Sequence, residues 1–212
     1  MQAEPTSPSS TQASGDARDE SVAAQLTQKI LEVLVSVPPT REPPSADPHA
    51  RARTLRRNAA AKSAAVSGTL SLPAGLVGMM TVVPDMVLVW RIQAQLVADI
   101  AGAFGKGSTL TREEILYCVF EHVVAESSLR GLVTRVGERY VVRRTTAATF
   151  RRVATRLGIR LAERRIGRTI TRAVPLVGAA GVAWYAWGDT RRVGKSAVTL
   201  FEHDVVDAPS AT

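Results

Sequence analysis

Six arginines, Arg152, Arg156, Arg160, Arg164, Arg168 and Arg172, recur at every fourth residue. Around them, residues 130–172 hold thirteen arginines against two acids, Glu138 and Glu163. A guanidinium is always charged and presents a planar fork of donors that matches phosphate or carboxylate. On a helix of 3.6 residues per turn, each four-residue step advances about 40° beyond a full turn, so the row winds slowly. Like charges one turn apart repel by about 0.2–0.5 kcal/mol per pair, which a merely solvated face relieves with Glu. The row is therefore read as a surface for an anionic partner.

Other constellations carry less chemistry. Gly194-Lys195-Ser196 ends like a phosphate loop, but five residues separate Gly188 from Gly194 where a Walker A loop has four. Cys118 and His122 stand one helical turn apart with Glu126 beyond, a spacing open to nucleophilic or metal chemistry. Zinc needs a third ligand, however, and the other histidines fall at 49 and 203. Packing of Cys118 as a small hydrophobe is the favoured reading. Asp85, Asp99 and Asp189 border apolar stretches and are read as a candidate polar cluster for ion or substrate contact. Singly, Asp85 fits a first-turn acid and Asp189 an N-cap. No catalytic residue, metal or cofactor is assigned.

The elements that must position these groups follow from composition and period. The 212 residues are 45% hydrophobic, 22% charged and 5% aromatic, with a net charge of +8. That is too apolar for a disordered chain and too poor in aromatics for an RNA-stacking module. A single cysteine excludes a disulfide framework and suits a reducing compartment. Residues 1–20 are rich in Pro, Ser and acids without the apolar segment of a secretory signal, so a disordered tail is expected there. Val22, Leu26, Ile30, Val33, Leu34 and Val37 mark a short amphipathic helix over 21–37, and PPTREPPSADP then gives a stiff Pro-rich linker over 38–50. The main domain is expected over 51–205. It comprises an Ala-rich basic helix from 50 to 66, a helix from Pro84 to Gly105, and a helix capped by Thr111 and Glu114. Residues 128–144 are expected to be helical with a break at Gly137. The arginine-bearing helix and a last helix follow, and 206–212 form a second disordered tail. No sustained period-two alternation or Asn-Gly hairpin signal stands out. The expected class is all-α, a compact multi-helix domain containing two Gly/Pro-bearing apolar segments.

Those segments are Ser63–Pro84, 22 residues without a charge, and residues 173–188. If both spanned a bilayer, residues 91–172 would be translocated with 16 basic and 7 acidic residues, against the positive-inside rule. Gly68, Pro73, Gly75 and Gly78 also interrupt the first. The expectation is apolar hairpins that pack together or dip shallowly, with Leu72, Leu76, Met79, Met80, Val83, Leu176, Trp184 and Trp187 as packing or insertion residues.

The blocks LPAGLVGMMTVVPD (72–85), RIQAQLVADIAGAFG (91–105) and AVPLVGAAGVAWYAWGDTRRVGKSAVTLF (173–201) resemble the EcsC protein family. The shared signs are the small-residue apolar runs, the Pro-Asp pair, the Ile-Gln pair and the Asp-Thr…Val-Gly-Lys-x-Ala ending. The resemblance covers roughly 55–203 and leaves the Pro-rich N-terminal region outside. It implies a helical, membrane-associated bacterial protein, with a membrane transporter as one class of partner, and transfers no catalytic residue. The expectation is a protein bound to an anionic membrane surface at the cytoplasmic side of the inner membrane, peripheral or shallowly inserted. A homo-oligomer is a further partner class. Nucleic-acid binding ranks behind, because the basic region has little aromatic interleaving and no recognition motif. An enzyme or accessory factor acting on a lipid or transporter is the third reading.

Overall fold

The computed structural model describes residues 10–34, 36–71, 82–122, 129, 132–166 and 175–208. In chain order the elements are α1 (Ser10–Leu34), α2 (Pro48–Ser71), α3 (Val82–Ala103), α4 (Arg112–Phe120), β1 (Val133–Val136), β2 (Arg139–Arg143), α5 (Ala147–Ile166), α6 (Pro175–Glu202) and β3 (Asp204–Ala208). The chain is a multi-helix fold, as the helical periods predict, and it adds one small three-stranded sheet that the sequence pattern does not announce.

Helix α3 is the centre. Val87, Trp90, Ala94, Val97, Ile100 and Ala101 are buried along it, and α1, α2, α4 and α6 all pack against it. It is also long and apolar enough to cross a membrane over Met86–Ala103, yet 67% of that window is buried inside the domain, the pattern of a core helix. It stops before Gly105, whose φ of +73° is the left-handed position that favours glycine. The capping box of α4 forms as its sequence dictates. The Thr111 backbone N–H donates to Glu114 Oε2 at 2.6 Å, and the Glu114 N–H returns to Thr111 Oγ1 at 3.3 Å.

Helices α2 and α6 run antiparallel. Arg56 lies beside Gly194, Ser63 bonds to Thr190, and a Cβ on Gly68 would sit 3.6 Å from the Cβ of Ala183. The described start of the first apolar run thus lies along α6, with Gly68 facing Ala183, while residues 72–81 of the expected contact between Leu70–Val83 and Val174–Trp187 lie outside the described residues.

Four segments differ from expectation. Helix α1 begins at Ser10 rather than near Ser21, so residues 10–20 of the expected disordered tail are helical. It is also part of the core: Leu26, Ile30 and Leu34 are fully buried against α3 and α5, each worth about 1.5–3 kcal/mol. The Pro-rich segment is extended, as predicted, but it is no free linker. It lies along α3, where Gln95 Nε2 donates to Pro39 O at 3.1 Å, the Arg41 N–H to Asp99 Oδ1 at 2.9 Å, and the Ser45 N–H to Ala103 O at 2.9 Å. Proline-bearing backbone cannot satisfy itself internally, so α3 side chains and a free helix-end carbonyl supply the partners.

Residues 133–143 are a hairpin, correcting the helical expectation for 128–144. Val133 pairs with Val142 and Val136 with Arg139, antiparallel across the turn residues Gly137 and Glu138. Gly137 has φ +62°, and a positive φ at the first turn residue suits a type II′ hairpin. Tyr140 and Val142 are buried, and β2 alternates in its burial. The chain end then adds β3 beside β2, parallel, with Tyr140 opposite Val205. Residues 204–208 are therefore a strand, so the expected tail at 206–212 is paired through Ala208. The sheet gains its third strand from more than sixty residues away.

Candidate functional site

Helix α5 presents a buried face and a basic one. Phe150, Val153, Ala154, Leu157 and Leu161 are buried, while Arg151, Arg152, Arg156 and Arg160 are exposed together with Ile159. At 40° per four-residue step, Arg152, Arg156 and Arg160 occupy an arc of about 80°, so one plane can meet all three. Among the described residues none of the three forms an ion pair; the acids are engaged elsewhere, as in Lys29–Glu32, Arg91–Glu32, Arg51–Glu42 and Arg112–Glu113. The start of α5 is tethered. Glu113 is buried and accepts the Thr145 N–H and hydroxyl at 3.1 and 2.9 Å, while the Arg112 guanidinium lies 4.6 Å above the Phe150 ring. Arg164 belongs to α5, but its side chain lies outside the described residues, as do Arg168 and Arg172 altogether.

Of the predicted apolar residues, Trp184 is 73% exposed on α6 with Tyr185 beside it at 50%. Trp187 is half-buried; it stacks on Trp184 at 5.3 Å between centroids and carries the Arg191 guanidinium 4.6 Å above its ring. Val83 and Leu176 fall within α3 and α6, with their side chains outside the described residues; Leu72, Leu76, Met79 and Met80 lie outside entirely.

The structure gives the aspartates separate settings. Asp99 accepts the Arg41 N–H and, at 2.8 Å, Gln95 Nε2, so it serves to hold the Pro-rich segment. Asp189 is inside α6 rather than at its N-cap, and it centres a buried polar group. Its Oδ1 meets His122 Nε2 at 2.6 Å and its Oδ2 accepts Gln93 Nε2 at 2.8 Å. Gln93 also reaches Thr190 Oγ1 at 3.3 Å, and Thr190 donates to Ser63 Oγ at 2.9 Å. Ser63, Gln93 and Thr190 are completely buried. Two atoms in this group, Gln93 Oε1 and His122 Nδ1, are buried without a hydrogen-bond partner among the described residues. The side chain of Asp85 is outside the described residues.

Helical spacing sets His122 beside Cys118, one turn away. The fold instead pairs it with Asp189, 67 residues on. Cys118 is fully buried, and burial, with Glu114 and Glu121 adding to it, pushes its thiol well up, away from a nucleophilic thiolate. Among the described residues no group of three His, Cys, Asp or Glu side chains is placed to hold a metal. The members of the polar group that residue spacing does not reveal are Gln93, Thr190 and Ser63. Gln93 belongs to the Ile-Gln pair and Asp189-Thr190 to the Asp-Thr ending, so the fold joins two of the blocks that carried the resemblance.

No protein-family model, curated protein or solved structure matches this chain.

Proposed function

We propose that this is an EcsC-like helical protein that binds an anionic membrane surface from the cytoplasmic side through the arginine face of α5. The observation that carries the reading is the arc of Arg152, Arg156 and Arg160, exposed and, among the described residues, without carboxylate partners. A guanidinium close to an anionic leaflet gains about 1 kcal/mol, so three give about 3 kcal/mol. Trp184 and Tyr185 supply interfacial aromatics, whose apolar body and polar tip suit the headgroup level. Helix α5 ends at Ile166 and α6 begins at Pro175, so eight residues join the basic helix to the helix that carries Trp184. On that membrane face, a transporter or a second copy of the chain would be the protein partner.

Flotation with vesicles tests this. The wild type should float with anionic vesicles at low salt and release as salt rises. The triple variant R152Q/R156Q/R160Q should bind about 100-fold more weakly, the equivalent of about 3 kcal/mol. Binding to zwitterionic vesicles should be unchanged. A wild type that ignores anionic vesicles yet shifts duplex DNA with steep salt dependence would replace this reading with nucleic-acid binding.

A further inference from the structure

A cleft of about 650 Å³ opens between α1, the Pro-rich segment, α2 and α3. One stripe of each facing helix lines it with apolar side chains, Leu55 and Ala59 on α2 and Ile92 and Leu96 on α3, beside the polar Asn58 and Gln95. Helices α2 and α3 run antiparallel here, because His49 at the start of α2 packs its ring 5.2 Å from Phe104, just past the end of α3. The two ends of the cleft therefore differ in charge. At one end Glu42 takes two donors from Arg51 at 2.7 Å, and Asp99 stands near Arg41 and Arg51, so cations and acids balance. At the other end Lys62 has no ion-pair partner among the described residues, and Arg91 shares the single carboxylate of Glu32 with Lys29, at 2.7 and 2.6 Å. That end carries excess positive charge. Between Arg51 and Lys62 the stripe of α2 runs about 16 Å at 1.5 Å per residue.

A trough of this length with apolar stripes and one cationic end matches an amphiphile whose head is an anion. We propose that this cleft binds a single-chain anionic amphiphile, a fatty acid or lysophospholipid. The chain lies along Leu55, Ala59, Ile92 and Leu96 and the headgroup meets Lys62 and Arg91. The volume falls in the range of small-molecule sites, which are mostly apolar with a few placed polar groups. The site also gives the N-terminal region a role, since α1 and the extended segment that follows it form two of the walls. It is independent of the α5 face, which lies on another helix.

Calorimetry with laurate and with lauroyl lysophosphatidylglycerol, both below micelle formation, tests the proposal on the full-length protein. Saturable binding at one molecule per chain is expected for both probes. Lys62→Glu should weaken it at least tenfold. Asn58→Trp should abolish it, because Asn58 is exposed on the rim and a large side chain there overhangs the trough without disturbing the core. R152Q/R156Q/R160Q should bind as the wild type does, which separates this site from vesicle binding. Absence of saturable binding to the wild type would overturn the proposal, as would affinity unchanged in both cleft variants. Inorganic phosphate competing as well as laurate would also overturn it, since the apolar stripes would then contribute nothing.

Discussion

Gly158→Ala is the sharpest test of how the N-terminal helix belongs to this fold. Gly158 is buried where α5 crosses α1. A Cβ added there would press on Thr27 Oγ1 and stand 2.7 Å from the carbonyl oxygen of Ala23 and 3.0 Å from the Thr27 backbone nitrogen. Two of those neighbours are backbone, and Thr27 Oγ1 is engaged in its own bond to Ala23 O at 2.8 Å, so no flexible side chain can swing away. Alanine should stabilise an interior helix position by about 0.8–1 kcal/mol over glycine. Forcing the helices apart costs about 1–3 kcal/mol, and contact with backbone belongs at the upper end. The net expectation is a loss of about 1–2 kcal/mol, a fall in Tm of about 2–8 °C for a chain of this length. Gly188→Ala is the matched control, because no atom of the described residues lies within 4 Å of a Cβ built there. It should raise Tm by about 2–4 °C through propensity alone. Thermal unfolding followed by circular dichroism reads both variants. If Gly158→Ala melts no lower than the wild type while the control rises, α1 is not seated on α5 at this crossing.

The buried polar group and the lone thiol make two further tests. His122→Ala should cost about 1.5–3 kcal/mol in urea unfolding, because Asp189 loses a 2.6 Å bond and keeps Gln93. Combining it with Asp189→Ala should cost clearly less than the sum of the single losses, since both remove the same bond; strict additivity would deny the pairing. Cys118 should resist a thiol reagent in the native protein at pH 8 and react on unfolding, with labelling that tracks the loss of helical signal. Prompt labelling of the native protein would contradict its burial.

The local elements and the basic helix face are written in the chain order alone. Thr111 with Glu114, Gly105 after an apolar helix, and the apolar period of α5 act within one or two turns, and period and caps suffice to read them. The orientation of Arg152, Arg156 and Arg160 is legible for the same reason: the helix alone sets the angle between them. Whatever joins distant segments depends on packing instead. The hairpin at Gly137 escapes the pattern because its strands are only four and five residues long, and β3, the third strand, arrives from residues 204–208. The Pro-rich segment reads as a linker because no local signal shows that Asp99 and Gln95, more than fifty residues later, will bind its backbone. Likewise His122, one turn from Cys118, meets Asp189 on α6, and Gln93 joins them from α3. Helical spacing predicts which side chains share a face, but burial of polar groups is settled only when faces meet, where each group must find a partner or stay unsatisfied in a low-dielectric interior.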